Sequence, residues 1–502
     1  MSDAKASAIP LLDFKVRDED HSTDSASTLS VKIDVQQAEN ATASDLTSLI
    51  HRFAREGNAE AVQAILVKQP SLVNKTDSDG LTALHYAAKY GNVKVVELLL
   101  NGGAAVDVAG DEQQWTPLHM TAKYCRPLAN AHKCASSKST ISRFIDASAH
   151  SAGRISTGDV ATAIVNLLVG REAAVDATDS YGMTPLHYAA MKANEPAARA
   201  LIKNKASVNA KAVKGATPLL TACVYGSDDI VKLLLSNGAD CSCADNRMNT
   251  VYHIAALHGR SDSLKLLLQY GGPSARSMLW LSNNEGKTPL RLAVDGNHPE
   301  TVSAILQLKP EGDADFNEKD KLLLHEAAAK GYLKVVECLI KHGYDLRLRD
   351  EDLKLPLHAA AEHNQADVVR LLVELAPDSI EEQDDLGMPP FLVAVAQNAI
   401  DVVKILIDYS TDICITDNEG RSAIYVGAKY NAINVLRVGY FFNGSWALSH
   451  FPCDSDLVAQ LQLSCCSTKA STEKKLLNDF EGKRCDEPIL VPSLPNATTA
   501  SD

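Results

Sequence analysis

LTALHYAAKYGNVKVVELLL, from Leu81 to Leu100, is the clearest copy of a pattern that recurs along most of this 502-residue chain. Further copies open at Met183, Ala216, Asn249, Lys287, Lys321, Lys354 and Met388. Successive copies lie roughly 33 residues apart, with one longer gap. A register held this often predicts a single supersecondary unit that stacks repeatedly on itself.

Each copy predicts two helices joined by a tight turn. A threonine stands where its hydroxyl can cap the first helix, and a proline often follows at the first helical position. A glycine then ends that helix, where a left-handed residue is needed. The recurring signature residues are Thr82, His85, Gly91, Thr116, His119, Thr184, His187, Thr217, Gly226, Gly259, Thr288, His325, Gly331 and His358.

The remaining positions of each copy predict how neighbouring copies pack. Small residues such as Ala87–Ala88 and Ala359–Ala360 allow first helices to approach closely. An apolar stripe on the second helix faces the adjacent copy. Its members are Val95, Val96, Leu98 and Leu99 in one copy, and Ile230, Val231, Leu233 and Leu234 in another. Aspartates after each helix pair, including Asp179, Asp245 and Asp417, favour the turns of projecting loops.

This T-P-L-H-x-A signature and its period resemble the ankyrin repeat. The resemblance implies an all-α ankyrin-repeat solenoid of stacked helix-turn-helix units with projecting β-turn loops. We expect about eleven units over residues 46–437, the first of them a degenerate capping repeat. Residues 1–45 are acidic and rich in Ser, Thr and Asp, and are predicted to be disordered. Residues 438–502 form an atypical tail, predicted to be mostly disordered.

Charge and composition narrow the classes of partner. The formal net charge is -14, and no Lys/Arg stripe is interleaved with aromatics, so we expect no nucleic-acid partner. No run approaches 18 apolar residues and the N-terminus has no apolar targeting core. Eleven scattered cysteines then indicate reduced thiols. Together these features predict a protein on the cytoplasmic side that is not secreted.

Motifs for catalysis, metals or cofactors are not evident in the sequence. The signature histidines recur one repeat apart, too far for shared coordination, and a structural hydrogen bond is the better interpretation. His325-Glu326 resembles the start of a zinc-binding helix, but Ala329 stands at the second ligand position. Cys241-x-Cys243 has no partner pair nearby. We therefore predict no enzyme activity and no cofactor.

Two insertions interrupt the period. The larger covers about 125–158 and is rich in Ser and Ala and mildly basic. It is either an exposed loop or a site for a partner or for phosphorylation, because hydroxyl side chains lie beside Lys138 and Arg143. These hydroxyl residues are Ser137, Ser139, Thr140 and Ser142. The smaller insertion, Gly272–Leu281, carries Met278, Leu279 and Trp280, which either pack on the stack or form a contact patch.

The last copy is incomplete. RSAIYVGAKYNAINVL, from Arg421, gives way to the aromatic segment RVGYFFNGSWALSHF. One hypothesis is that the array continues in the parent gene and that this chain leaves it after Arg437 by splicing, intron read-through or a gene-model error. Val438 fits that idea, because every valine codon begins with the GT of a splice donor.

Some stretches are more specific than the general repeat. EGKTPLRLAVDGNHPETVSAIL from Glu285, GATPLLTACVYGSDDIVKLLL from Gly215 and GRSAIYVGAKYNAINVL from Gly420 resemble the cytosolic ankyrin domain of TRPA-type cation channels, invertebrate members above all. The resemblance implies the sensor and assembly portion of a homotetrameric, calcium-permeable channel, truncated before the pore. No pore-forming segment and no counterpart of that family's electrophile-sensing linker are recognisable, and Cys223 and Cys338 are interpreted as core residues.

A free-standing cytosolic adaptor is the alternative function. In either case we expect protein partners to bind the projecting loops and the concave face of the first helices. Self-association or co-assembly with a full-length channel is a further expectation. The individual partner-binding residues are unknown from the sequence.

Overall fold

The computed structural model describes residues 43–125, 157–308 and 320–435. Within them the chain forms ten consecutive α-helix pairs, one extra α-helix and the first α-helix of an eleventh pair. Short 3₁₀ helices lie at Pro70–Asn74 and Pro377–Glu381, and these residues contain no β-strand, so the predicted all-α architecture is confirmed. The helices are α1 Ala43–Glu56, α2 Ala59–Lys68, α3 Ala83–Tyr90, α4 Val93–Asn101, α5 Pro117–Tyr124, α6 Thr157–Val169, α7 Pro185–Met191, α8 Glu195–Lys203, α9 Pro218–Tyr225, α10 Asp228–Ser236, α11 Val251–Leu257, α12 Ser261–Tyr270, α13 Gly272–Met278, α14 Pro289–Asp295, α15 Pro299–Leu306, α16 Leu323–Lys330, α17 Leu333–Lys341, α18 Pro356–Glu362, α19 Ala366–Leu375, α20 Pro390–Ala396, α21 Ile400–Asp408 and α22 Ala423–Lys429.

The chain divides into two compact units, Met1–Pro289 and Leu290–Asp502. In the first unit, the first helices of each pair (α1, α3, α5, α7, α9 and α11) pack in one row and the second helices (α2, α4, α6, α8, α10 and α12) pack in another. In the second unit, α16, α18, α20 and α22 form one row, and α15, α17, α19 and α21 form the other. Each helix therefore buries its apolar face against its neighbours in adjacent repeats.

Local chemistry explains where the short first helices begin and end. Thr82 is extended at φ −91° and ψ 166°, and α3 begins at the next residue. Gly91 then takes φ 79°, the left-handed conformation that L residues avoid, and ends the helix. Proline occupies the first position of α5, α7 and α9, where its missing N–H is not needed.

Burial shows which apolar predictions hold. Ile230, Val231, Leu233 and Leu234 are all buried, as predicted. Leu98 is only half-buried. The buried face of α4 consists of Val95, Val96, Leu99 and Leu100, and Leu98 lies at the edge of that face. The prediction for Ala359 is also wrong by one residue. The equivalent of the buried pair Ala87–Ala88 is Ala360–Ala361, whereas Ala359 is half-buried.

The segments predicted to depart from the period fall largely outside the described residues. Residues 126–156 of the larger insertion, residues 436–502 and nearly all of residues 1–45 are among them. The smaller insertion is described. It forms α13, which packs on α12, and Leu279 just after it is fully buried. Packing is therefore the outcome for Leu279, whereas Leu281 at the end of the segment is 48% exposed.

Candidate interaction surface

The signature threonine and histidine close the first turn of the first helices and join successive repeats. In α3, the Thr82 N–H donates to His85 Nδ1 at 3.0 Å, and Thr82 Oγ1 lies 2.9 Å from the same nitrogen. His85 Nε2 lies 3.0 Å from the carbonyl oxygen of Trp115, which opens the next repeat. Because Nδ1 accepts a hydrogen bond, the ring proton belongs on Nε2, which donates to that carbonyl.

The same bridge recurs with small variations. The Nε2-to-carbonyl distances are 3.0 Å for His119–Met183, 3.0 Å for His187–Ala216, 3.2 Å for His253–Lys287, 3.0 Å for His325–Lys354 and 3.2 Å for His358–Met388. His325 is the exception at its other nitrogen, which has no hydrogen-bond partner within the described part of the chain. The residue before α16, Leu322, is not extended there, with ψ 8°, and so does not present its N–H to that ring.

Burial keeps these imidazoles neutral. It lowers the pKa of His85, His187, His253 and His358 to about 4, and it also lowers the pKa of His119 and His325. In every one of these rings except that of His325, a protonated Nδ1 would face the backbone N–H from which it now accepts, so the geometry requires the neutral ring. Among the described residues, no group of three or more His, Cys, Asp or Glu side chains could hold a metal ion.

Four described repeats lack the histidine, and two of these, at Leu220 and Arg291, keep the threonine before the helix. Thr217 Oγ1 accepts instead from the backbone N–H of Leu220 at 3.3 Å, and Leu220 is buried in the place of the imidazole. Thr288 is buried at the start of α14, and Arg291 stands at its histidine position. Arg291 forms an ion pair with Glu326 of the following repeat. Both departures retain the threonine that precedes the helix.

Glycines at the helix ends have a second role that the sequence pattern did not reveal. Gly226, Gly259 and Gly331 have φ values of 72°, 64° and 72°. The guanidinium of Arg260, in the next repeat, packs over Gly226, and a Cβ there would overlap it. Arg260 donates from Nη2 to the Val224 carbonyl oxygen at 3.2 Å, which satisfies the end of α9.

Other polar residues just after the left-handed turn residue also donate to carbonyl groups at the end of the first helix of the preceding repeat. Asn92 Nδ2 donates to the carbonyl oxygens of Ala54 at 2.7 Å and Arg55 at 3.0 Å. In the second unit, Gln365 Nε2 donates to Ala329 O at 3.0 Å. In the sequence, such residues can be recognised as polar residues directly after the left-handed turn residue, although their hydrogen-bond partners lie one repeat away.

Asn194 makes the same kind of hydrogen bond at the helix that precedes the larger insertion. The chain leaves α5 at Cys125 without a left-handed glycine, and Asn194 Nδ2 donates to the carbonyl oxygens of Thr121, Ala122 and Cys125 at 3.3, 3.0 and 2.8 Å. Asn194 is fully buried. The carbonyl groups at the end of α5 thus receive hydrogen bonds from the following repeat, and α6 continues the stack from Thr157.

Several of the loops between repeats are built on one buried aspartate, such as Asp179, Asp245 and Asp417. Asp179 Oδ1 accepts from the N–H groups of Tyr181 at 2.9 Å and Met183 at 2.8 Å. Its Oδ2 accepts from the hydroxyl of Tyr188 at 2.6 Å and from Trp115 Nε1 at 3.1 Å. Asp245 and Asp417 hold their loops with the same pair of backbone contacts. These turns were predicted from the aspartates.

Backbone hydrogen bonds join each loop tip to the next. In the first unit, Val213 N donates to Tyr181 O at 2.9 Å and Asn246 N to Lys214 O at 3.1 Å; in the second, Asp385 N donates to Asp352 O at 3.0 Å. The tip side chains are therefore held by main-chain contacts and left exposed. The exposed apolar residues at the tips are Tyr181 (40%), Val213 (70%), Met248 (55%), Leu353 (47%) and Leu386 (48%). A row of exposed apolar and charged tips on a fixed backbone suits protein recognition.

The two cysteines interpreted as core residues differ. Cys223 is fully buried in α9, and burial raises the pKa of its thiol. Cys338 in α17 is half-buried, because it lies at the edge of the buried stripe formed by Val335, Val336 and Leu339, so that interpretation is wrong for Cys338. The pKa of both thiols is raised, mainly by burial, which disfavours the nucleophilic thiolate.

No helix in residues 43–125, 157–308 or 320–435 is both long and apolar enough to cross a membrane.

Known proteins resemble this chain in two ways, through the repeat in general and through similarity to individual proteins. The family described as Ankyrin repeats (3 copies) matches residues 50–135, 155–245, 241–320 and 308–379, and Ankyrin repeats (many copies) matches 357–407. The chain is 44% identical over 365 residues to the Caenorhabditis elegans protein named Transient receptor potential cation channel subfamily A member 1 homolog. That match covers 72% of this chain and 29% of the nematode protein.

A second relative is more distant. The chain is 28% identical over 144 residues to the Saccharomyces cerevisiae protein named Probable 26S proteasome regulatory subunit p28, which covers 28% of this chain and 63% of that protein. The chain thus spans less than a third of the nematode relative and less than two thirds of the yeast relative.

Proposed function

The chain belongs to the ankyrin-repeat family, and on that premise we propose that it is a protein-binding scaffold that serves as the cytosolic sensor and assembly portion of a TRPA-type cation channel. It binds proteins through its loop tips and first helices and performs no catalysis itself. As part of such a channel it lies at the cytoplasmic side of the plasma membrane.

The level of identity to the nematode relative carries this proposal. Ankyrin repeats share their buried and turn residues for structural reasons, since the Thr, His and Gly positions described above each make a backbone contact. The identity to the yeast relative is 28% over 144 residues. The identity to the nematode relative is higher, at 44%, and it extends over 365 residues. Fold alone would not require that agreement.

A free-standing adaptor is the second candidate. The yeast relative favours it, since its name describes a regulatory subunit and not a channel, and this chain covers 63% of it. Both candidates use the same surface, so the structure of the described residues does not separate them. They differ in what the transcript encodes.

Long-read sequencing of the transcript across the codons for Leu436 to Val438 tests the choice. A major product that continues into more repeats and several long apolar spans supports the channel portion. A major product that stops after Asp502 contradicts it and favours the adaptor. Co-purification of the tagged chain with the full-length channel, with the tag alone as control, tests co-assembly directly, and a chain that fails to co-purify would refute that part of the proposal.

A further inference from the structure

Two pairs of neighbouring loop tips, one in each unit, share a backbone architecture but carry opposite charge. The first pair, here called the basic strip, consists of the exposed residues Lys211, Val213, Lys214, Arg247 and Met248. Its three charged members are all cationic. The apolar side chains of Val213 and Met248 are 70% and 55% exposed.

The second pair, here called the acidic strip, consists of the exposed residues Glu351, Asp352, Leu353, Asp385 and Leu386. Its three charged members are all carboxylates. Leu353 and Leu386 are 47% and 48% exposed.

The two strips are built on the same backbone contact. Asn246 N donates to Lys214 O at 3.1 Å across the basic strip, and Asp385 N donates to Asp352 O at 3.0 Å across the acidic strip. Each strip therefore places two apolar residues and three like charges on adjacent tips of one repeat spacing. The two strips therefore offer opposite charges beside exposed apolar side chains.

Nearby opposite charges do not cancel either strip. Arg247 and Glu285 are 3.8 Å apart, but both side chains are more than 40% exposed, and such solvated pairs are weak. Beside the acidic strip, Arg349 stands where Lys211 stands in the basic strip, and it is paired with Glu382. Lys354 Nζ is engaged by Glu362 at 3.0 Å. The net charge of the acidic strip therefore stays negative.

We propose that the basic strip of one copy of this chain docks on the acidic strip of a second copy. A second copy is the occupant for which the chain itself supplies the opposite charge and exposed apolar side chains. This contact is heterologous, since different surfaces meet, and it is electrostatically steered and sensitive to salt. The inference goes beyond the proposed function and does not depend on it, because a free-standing adaptor would self-associate in the same way.

Sedimentation velocity on the full chain at about 50 mM salt, where the Debye length exceeds 10 Å, tests the proposal with two charge-reversed variants. Lys211→Glu/Arg247→Glu reverses the basic strip, and Asp352→Lys/Asp385→Lys reverses the acidic strip. Lys94→Glu/Lys232→Glu is the matched control, since it changes the net charge as the first variant does, but on the exposed faces of α4 and α10. Circular dichroism establishes that every variant is folded.

We expect the unmodified chain and the control to associate with rising concentration. Each reversed variant alone should lose at least about tenfold in association constant, which is about 1.4 kcal/mol, and an equimolar mixture of the two reversed variants should regain association. Higher salt should weaken the contact. A wild-type chain that stays monomeric at about 50 μM, reversed variants that associate as well as the wild type, or a mixture that fails to recover would each overturn the proposal. Recovery of a different protein on a monomeric chain would assign the strips to that partner instead.

Discussion

Replacing His187 by leucine would measure how much a signature histidine contributes to the pH dependence of folding. His187 is fully buried, and Nδ1 accepts from Thr184 N at 3.1 Å while Nε2 donates to Ala216 O at 3.0 Å. The chain already contains the replacement, since Leu220 fills the equivalent place in the next repeat. The variant is therefore compatible with the fold, although losing both contacts should cost about 1–3 kcal/mol at pH 7.

The magnitude follows from the pKa of His187, which burial lowers from 6.5 to about 4. The unfolded chain binds the proton near pH 6.5 and the folded chain does not until near pH 4. Stability is thus fully present above pH 6.5 and is lost as the pH falls toward 4. Between pH 7 and pH 5 this one side chain should remove about 2 kcal/mol. His85 and His253, in the same unit, have the same lowered pKa and add to the wild-type loss.

Urea unfolding at pH 7, 6 and 5, followed by far-UV circular dichroism, would compare wild type with His187→Leu. The loss of unfolding free energy between pH 7 and pH 5 should be smaller in the variant by about 2 kcal/mol, whatever its stability at pH 7. His363→Leu, at an exposed position, controls for the removal of one imidazole from the chain. An identical loss in His187→Leu and wild type would refute the buried, neutral state assigned to these rings.

Three further substitutions test the packing and the helix ends by urea unfolding. Leu234→Ala, at a fully buried site of α10, should cost about 2–5 kcal/mol, whereas Lys232→Ala on its exposed face should stay within about 0.5 kcal/mol; equal effects would mean that the helix register is wrong. Gly226→Ala and Gly238→Ala both force an alanine into the left-handed conformation, at φ 72° and 83°, which should cost about 1 kcal/mol at either site. Gly226→Ala should cost about 1 kcal/mol in addition, because of the two new Cβ atoms only the one at Gly226 meets a neighbouring side chain. Asn194→Ala should cost about 2 kcal/mol or more, since it leaves three helix-end carbonyl groups without their donor, and a loss under about 0.5 kcal/mol would show that water replaces the amide.

Much of the fold was open to prediction because its causes are local in sequence. A threonine followed three residues later by histidine, and a glycine after the last helical residue, act on backbone groups within one helix turn. The buried side chains Ile230 and Leu234 likewise follow from helical periodicity alone. Because the pattern recurs along the chain, each weak local signal was supported by several copies.

The errors and omissions involve contacts that reach into another repeat or depend on a shift of one position. Leu98 fits the apolar pattern, but it falls on the shoulder of the stripe that meets the next helix. Arg260 and Asn194 look like ordinary turn residues until their partners one repeat away are known. The pairing of the basic and acidic strips lay outside sequence reasoning for the same reason, since a tip residue is recognised as such only after its backbone neighbours are placed.

The loop-to-loop bonds have a consequence for how such a protein diversifies. They run from main-chain N–H to main-chain carbonyl, as between Asn246 and Lys214, so they do not depend on which side chains the tips display. Mutations at Val213 or Leu386 can therefore accumulate without being purged for loss of folding. Paralogues that share this stack would be expected to melt at similar temperatures while having different binding partners, and the tips are where a library for selecting new binders from this chain would best be randomised.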